Sequence, residues 1–176
     1  MTNAELAILS LVAEAPRHGY EIEQIIEVRG MREWTEIGFS SIYYLLKKLE
    51  KEGLVESELV PTHGRGKTRR MYTTTENGRA KLLASTQEAL SQPQPTYPAI
   101  LLGLANLPIV SAEQAQNALE SYKAVVEERL EHLAAQVEAQ SPLPDHVEYL
   151  FDHSLTMLEA EKNWVEKTIR RIRSDV

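Results

Sequence analysis

The sequence has no cysteine, which excludes disulfide bonds and thiolate metal sites and favours a reducing compartment. It also lacks a run of about 18 apolar residues, the length that a membrane-spanning helix needs. Its N-terminus lacks the basic and then apolar pattern of a secretory signal. We therefore expect a cytoplasmic protein with no membrane partner.

An excess of positive charge is also missing, since 19 Lys and Arg stand against 26 Asp and Glu. A uniform balance of this kind would disfavour a nucleic-acid partner, but the charges are unevenly distributed. Six cations and one anion fall between residues 63 and 81. The cations are Arg65, Lys67, Arg69, Arg70, Arg79 and Lys81, and the anion is Glu76. The acidity belongs mainly to the C-terminal half.

Patterns typical of enzymes and cofactor sites are absent as well. There is no G-x-S-x-G motif and no cysteine nucleophile. The segment Gly66-Lys67-Thr68 copies the end of a P-loop, but the first glycine of that motif is replaced by Pro61. His146 and His153 are seven residues apart, whereas helical zinc ligands are usually three or four apart. We therefore predict no enzyme, no cofactor and no metal site.

What the sequence does contain is a strongly amphipathic helix between Phe39 and Val55. Its apolar residues recur at helical spacing and predict one buried face. These residues are Ile42, Leu45, Leu46 and Leu49. Ser40, Tyr44, Lys47 and Lys51 fall on the opposite face, and Tyr43 lies between the two. Ser40 is a suitable N-cap and Gly53 a suitable C-terminal cap.

Two helices are predicted before this one. A capping box, Thr2 with Glu5, opens a helix that ends near Glu14, because Pro16 disfavours helical backbone at Ala15. The second helix runs from about residue 18 to residue 29 and closes at Gly30. Its buried side is predicted to contain Tyr20, Ile22, Ile25 and Ile26.

Two strands and a fourth helix are predicted after Gly53. Leu54–Val60 and Arg69–Thr75 have strand character and flank a glycine-containing loop, which indicates a β-hairpin. A helix follows over Glu76–Ser91. Three helices followed by a basic hairpin are typical of a winged helix-turn-helix, in which the third helix enters the major groove and the hairpin contacts the DNA backbone.

The remaining chain predicts only helices. Gln92-Pro93-Gln94-Pro95 breaks the pattern and suggests a boundary between a DNA-binding domain, residues 1–92, and a helical domain, residues 93–176. Three further helices are predicted, over 97–107, from a capping box at Ser111 to about residue 140, and over 145–173. The fold class is mainly α, and the apolar last helix suggests that the second domain dimerises.

The motifs themselves resemble the PadR family of transcriptional regulators over roughly residues 4–83. They are His18-Gly19-Tyr20-Glu21-Ile22, Ser40-Ser41-Ile42-Tyr43 running into Leu46–Val55, and Arg69-Arg70-Met71-Tyr72-Thr73-Thr74. Glu161-Lys162-Asn163-Trp164 is similar to the tail of longer members. Tyr44, where the family often has proline, and Gly64-Arg65-Gly66 in the wing depart from the family pattern. These departures bear on base preference and wing shape.

The resemblance implies a homodimeric repressor that binds a pseudo-palindromic double-stranded DNA operator and, in some relatives, responds to a small aromatic effector. We expect DNA contacts from the third helix and from the wing. The candidates are Ser40, Ser41, Tyr43, Tyr44 and Lys47 on the helix, and Arg65, Lys67, Arg69 and Arg70 on the wing. Tyr43 serves equally well as a packing residue, and His18 and Tyr20 are expected to pack at the entry of the second helix.

Two alternatives remain open at the level of sequence. Trp164, Tyr122 and Phe151 are suited to the core of the second domain, to a dimer interface or to an effector pocket, since aromatic residues on amphipathic helices serve in all three. The winged helix as a whole could instead be a protein-interaction module with no specific DNA target, its basic wing meeting an acidic partner. Charge reversal at Arg69 and Arg70 distinguishes DNA binding from protein binding, since it leaves DNA affinity unchanged if the partner is a protein.

Overall fold

The order of elements in the computed structural model is that of a winged helix followed by a helical tail. The structure describes residues 1–38, 41–61 and 68–174, apart from the side chain of Glu33. The chain divides into two units, residues 1–95 and 96–176. Unit 1 contains α1 (Asn3–Glu14), β1 (Arg17–His18), α2 (Gly19–Val28), α3 (Ser41–Lys51), β2 (Val55–Pro61), β3 (Thr68–Thr74) and α4 (Glu76–Ser91). Unit 2 contains α5 (Ala99–Ala105), α6 (Ala112–Gln140) and α7 (Asp145–Ser174).

Helix α1 begins and ends as the sequence predicts. The Thr2 hydroxyl accepts a hydrogen bond from the Glu5 N–H, and the Glu5 carboxylate accepts one from the Thr2 N–H, which completes the capping box. Ala15, before Pro16, is extended with φ −163°. Gly30 and Gly53 adopt φ of 61° and 70°, the left-handed conformation that favours glycine after a helix.

The core of unit 1 lies between α1, α2 and α3 and is closed by the sheet. Its members are apolar side chains that are almost entirely buried. They include Ile8, Leu9, Leu11, Ile22, Ile26, Ile42, Leu46, Leu49, Val55 and Tyr72. The predicted apolar face of α3 is therefore confirmed, because all four of its residues are buried. Ser40, predicted as the N-cap of this helix, lies outside the described residues.

A charged contact joins α1 to α3. The Lys48 ammonium donates a hydrogen bond to Glu5, a residue that is only 5% exposed. Burial raises the pKa of the Glu5 carboxyl, but the hydrogen bonds from Lys48 and from the Thr2 backbone outweigh burial and lower it overall. The charge of Lys48 is thus used within the protein, which distinguishes it from its neighbour Lys47.

The predicted hairpin is confirmed, and the sheet contains one more strand than the sequence indicated. Strand β3 is central, with β2 antiparallel on one side and the two-residue β1 antiparallel on the other. Arg17 pairs with Tyr72, and His18 pairs with Met71. So short a strand has no alternation from which to predict it, yet it fixes His18 beside β3. The loop with Arg65 and Lys67 lies outside the described residues.

One prediction about α2 is wrong, because Tyr20 is 56% exposed. The buried face of this helix consists of Gly19, Ile22 and Ile26, at spacings of three and four. Tyr20 lies one position away from that face, and its ring stacks on His18 with centroids 6.4 Å apart. It therefore faces the surface beside the start of α2.

In unit 2, α6 and α7 pack antiparallel. Glu120 of α6 pairs with Arg173 near the end of α7, and Glu127 pairs with Lys162 nearer its middle. Leu119, Val165 and Ile169 are buried between the two helices. The Ser111 capping box that opens α6 is present as predicted. In the part of the chain that the structure describes, no helix is both long and apolar enough to span a membrane.

Gly78 in α4 is required by the backbone that faces it. A Cβ atom at this position would lie 2.0 Å from the Leu54 carbonyl oxygen and 2.8 Å from Cγ2 of Thr74. The Gly78 N–H also donates to the Thr75 hydroxyl at 3.0 Å, which caps the helix. The start of α4 is therefore held directly against the residue that precedes β2.

We predict that Gly78→Ala lowers the free energy of unfolding by roughly 2–3 kcal/mol, because a rigid carbonyl must move. Gly103→Ala is the matched control, since a Cβ atom there would meet no atom within 4 Å and alanine favours the helix by about 0.5–1 kcal/mol. Urea unfolding followed by circular dichroism measures both variants. Equal stability of the two would contradict the packing of α4 on Leu54.

Candidate nucleic-acid interface

Helix α3 exposes the polar face that the sequence predicts. Tyr44 is 66% exposed, Tyr43 is 48% exposed, and Lys47 is exposed one turn further on. Ser41 is half-buried, and its hydroxyl donates a hydrogen bond to the Gly38 carbonyl oxygen, so it is used to begin the helix. Lys51, at the end of α3, is exposed as well, so the outward surface of the helix presents two phenol rings and two ammonium groups.

The start of α2 lies directly under the Tyr43 ring. A Cβ atom on Gly19 would stand 2.5 Å from Cε1 of Tyr43 and 3.0 Å from its Cζ, closer than real contacts allow. Only glycine permits this approach without a movement of the ring. Tyr43 therefore packs on α2 with one side of its ring and remains half-exposed on the other, so that both roles considered for it are compatible.

His18 forms the N-cap of α2 and lies next to the wing. Its Nδ1 accepts a hydrogen bond from the Glu21 backbone N–H at 3.0 Å. Its Nε2 lies 3.0 Å from Nη1 of Arg69 on β3. The side chain thus touches both the second helix and the central strand of the sheet.

Arg69 and Arg70, adjacent on β3, have different surroundings. Arg70 Nη1 donates to the Ser57 hydroxyl at 2.8 Å and lies 3.7 Å from a carboxylate oxygen of Glu50. Successive side chains of a strand point to opposite faces, so Arg69 points away from these partners. Within the described ranges Arg69 forms no ion pair with a carboxylate. Arg70 is thus paired with a carboxylate, whereas the guanidinium group of Arg69 is placed to bind an external anion.

These side chains surround an open groove of about 350 Å³ at the meeting point of α2, α3 and β3. We call it the basic groove. Its lining residues are His18, Gly19, Tyr20, Tyr43, Lys47, Arg69, Arg70 and Tyr72. None of them is acidic, and the groove contains three cations in a chain whose net charge is −7. Such a local field attracts an anionic partner.

The predicted contact residues are placed unequally. Tyr43, Lys47, Arg69 and Arg70 line the basic groove, and Tyr44 lies beside it on α3. Ser40, Arg65 and Lys67 lie outside the described residues. His18 was expected to pack at the entry of α2, and no role was predicted for Gly19, although both help to form the groove. The signal for their role was a histidine in N-cap position followed by a glycine.

The three aromatic residues proposed for an effector or interface occupy different environments in unit 2. Phe151 is 2% exposed. Tyr122 is half-buried, and its hydroxyl donates a hydrogen bond to Glu161. Burial and this hydrogen bond raise the pKa of Tyr122 to about 12. Trp164, at 39%, is the most exposed of the three.

A metal centre has no support among the described residues, which contain no group of three or more His, Asp or Glu side chains placed to hold an ion. Comparison with known families gives a direct match instead. The model of the transcriptional regulator PadR-like family matches residues 8–84, the segment that contains α2, α3, the hairpin and the start of α4. Residues 8–84, which form the winged helix, belong to the PadR-like family. Among curated proteins, no sequence matches this chain.

Solved structures extend the similarity over both units. Bacillus subtilis PadR in complex with operator DNA is 23% identical, with a TM-score of 0.76, over 96% of this chain and 98% of that one. The same protein in complex with p-coumaric acid is 22% identical, with a TM-score of 0.76 and the same coverage. A PadR-like regulator from Bacillus cereus is 17% identical, with a TM-score of 0.72, over 99% of this chain and 100% of that one. The PadR fold therefore includes α5, α6 and α7.

Proposed function

We propose that this PadR-like regulator binds double-stranded DNA through α3 and the wing, using the basic groove. The observation that carries the proposal is the position of the uncompensated cations. Lys47 on α3 and Arg69 on β3 line one groove, whereas Lys48 and Arg70 are paired with Glu5 and Glu50. Exposed cations clustered in this way are suited to binding the phosphate backbone of DNA, and they do little to stabilise the protein's own core.

In the proposed complex, α3 enters the major groove with Tyr44 and Lys47 leading. Lysine there donates to phosphate or to a guanine edge, and tyrosine donates through its hydroxyl. Arg69, on the central strand, contacts the backbone beside the groove. Ser40, Ser41, Arg65 and Lys67 extend the contact at the start of α3 and in the wing. Tyr43 joins α2 to this surface.

The fold gives independent support to this proposal. Bacillus subtilis PadR, which shares the fold over both units, has a structure in complex with operator DNA. We propose that the present chain is likewise a repressor that recognises a pseudo-palindromic operator as a homodimer. Two copies of α3 then reach successive major grooves about one helical turn apart. Residues 1–92 bind DNA and residues 93–176 hold the copies together.

We predict that Lys47→Ala and Arg69→Ala each weaken DNA binding and lower the slope of log K against log salt by about 0.9, the value for one lost phosphate contact. Arg171→Ala is the control, since it removes one exposed cation of unit 2. The measurement is fluorescence anisotropy on duplexes that the protein selects from a random pool, with unlabelled random DNA as competitor.

Each outcome of this experiment has a separate meaning. Tight binding that resists competitor and depends on Lys47 and Arg69 supports a sequence-specific regulator. Wild-type affinity in both variants would contradict the groove as the DNA-binding surface. If charge reversal at Arg69 and Arg70 also leaves DNA affinity unchanged, the winged helix is a module for an acidic protein partner instead.

The dimer proposal depends on apolar side chains that unit 2 leaves exposed. They lie on α5, α6 and α7 and on the turn after α5. Among them are Leu101 (53% exposed), Leu102 (71%), Ile109 (81%), Val125 (56%) and Met157 (58%). So much apolar surface on a small helical unit is typical of a protein interface. In a homodimer a second copy of the same unit covers it.

We predict that Leu102→Asp converts the dimer to a monomer without loss of helix content, because the side chain makes no contribution to the core of its own chain. Leu83→Asp on α4, where leucine is 62% exposed, is the control. Light scattering gives the mass, and circular dichroism gives the helix content. A Leu102→Asp variant with wild-type mass would contradict α5 as part of the interface.

A small aromatic effector is proposed to act through unit 2. Bacillus subtilis PadR has a structure in complex with p-coumaric acid, and unit 2 of this chain offers Trp164 and Tyr122 on its antiparallel helices. An effector that binds one dimer geometry better than another changes DNA affinity by that difference. The test is to titrate p-coumaric acid into the protein–DNA complex. Unchanged anisotropy at a high concentration of the acid would exclude p-coumaric acid as the effector.

A further inference from the structure

His18 has a hydrogen-bonding conflict within the basic groove. A neutral imidazole has one N–H donor and one acceptor. Because Nδ1 accepts from the Glu21 N–H, the hydrogen must be on Nε2. Arg69, whose guanidinium can only donate, lies 3.0 Å from that same Nε2. Two donors therefore face each other across a solvent-open groove.

The other protonation states do not remove the conflict. If Nε2 accepted from Arg69, the hydrogen would move to Nδ1 and would face the Glu21 N–H, so the cap of α2 would be lost. A doubly protonated imidazolium would lose the cap as well and would still donate from Nε2. A single acceptor placed against both Nε2–H and Arg69 satisfies both donors and keeps the cap.

The surroundings decide what this acceptor is. The groove favours an anionic acceptor, since Lys47, Arg69 and Arg70 line it and its described lining residues include no carboxylate. The lining side chains that could accept are the phenol oxygens of Tyr20, Tyr43 and Tyr72, and within the described residues none of them is hydrogen-bonded to His18 or Arg69. A phosphate oxygen suits two converging N–H donors, one of which is charged. The groove is also continuous with the exposed face of α3.

We propose that His18 is a DNA-contact residue, whose Nε2–H and the Arg69 guanidinium together bind one backbone phosphate of the duplex. This inference rests on the proposed DNA binding and adds to it a specific phosphate site and a residue type that composition alone would assign to packing. His18 then has two functions at once, since Nδ1 caps α2 while Nε2 holds the DNA. The phosphate fixes the position of α2, and through Gly19 and Tyr43 that of α3.

Two substitutions separate these functions. His18→Asn retains a good N-cap, because the amide oxygen accepts from the Glu21 N–H, but has no donor at the position of Nε2. His18→Gln places an amide N–H near the position of Nε2 and loses the cap. We expect His18→Asn to keep the melting temperature and to bind DNA roughly tenfold more weakly. We expect His18→Gln to melt about 3 °C lower and to bind nearly as wild type.

A phosphate scan identifies the ligand. Methylphosphonate replaces one phosphate at a time in a duplex selected by the wild-type protein, which removes the charge at that position. At the phosphate held by His18 and Arg69, the wild type loses affinity, and His18→Asn and Arg69→Ala lose much less. The salt slope separates the two residues further, since it falls by about 0.9 in Arg69→Ala and is unchanged in His18→Asn.

The outcomes distinguish this inference from the function on which it rests. If the wild type binds no DNA, both are overturned. If the wild type binds and His18→Asn binds equally well, only the phosphate site is overturned. The phosphate site is also overturned if His18→Asn binds more weakly but every methylphosphonate weakens the variant and the wild type equally. Under that same result of the scan, stabilisation of the free protein by inorganic phosphate, dependent on His18, would show a free-phosphate site and not a DNA contact.

Discussion

The close approach of α2 to α3 is the contact on which the candidate DNA surface depends. The Tyr43 ring occupies the space that a side chain at position 19 would need. This contact sets the first turn of α2 against α3 and brings His18, the cap of that turn, beside the central strand of the sheet. The exposed face of α3 and the wing thereby become one surface. A side chain at position 19 would force the Tyr43 ring out of this position.

Charge pairing then determines which cations of this acidic chain are available. Lys48 is bound to the buried Glu5 and holds α1 on α3, and Arg70 is held by Ser57 and Glu50. Each stabilises the module that presents the surface. Lys47 and Arg69, adjacent to them in sequence, carry charge that the described carboxylates do not neutralise. Neighbouring cations on one helix or strand therefore have different roles, since one is paired within the protein and the other faces outward.

Most of the fold follows from patterns that have local physical causes. The capping boxes at Thr2 and Ser111 fix where α1 and α6 begin, and the stripe of apolar residues on α3 fixes its buried face. The order of three helices and a hairpin was then enough to predict a winged helix. Two features were not predictable from sequence. Strand β1 has only two residues and therefore no periodicity. Tyr20 is exposed, although an aromatic residue close to a stripe of isoleucines also fits the pattern of a buried helix face.

The site was predictable in its chemistry and less so in its detail. Basic residues at 47, 69 and 70 indicated a nucleic-acid surface, but only the geometry distinguishes Arg69 from Arg70, because Arg70 has partners on α3 and β2 whereas Arg69 lies against His18. For the same reason, His18 was expected only to pack, and no role was predicted for Gly19. Their partners, Arg69 and Tyr43, are distant in sequence and adjacent in space. Pairings of that kind depend on how helices and strands are packed together.

The most direct test of the central claim is photo-crosslinking from α3 to DNA. Tyr44 is replaced by a photoreactive phenylalanine, which its 66% exposure allows, and Leu83 of α4, 62% exposed and outside the surface, is replaced in a control protein. Irradiation with a duplex selected by the wild-type protein should crosslink the Tyr44 variant to bases of the selected sequence and leave the Leu83 variant free. Efficient crosslinking from position 83 and none from position 44 would show that α3 does not face the DNA.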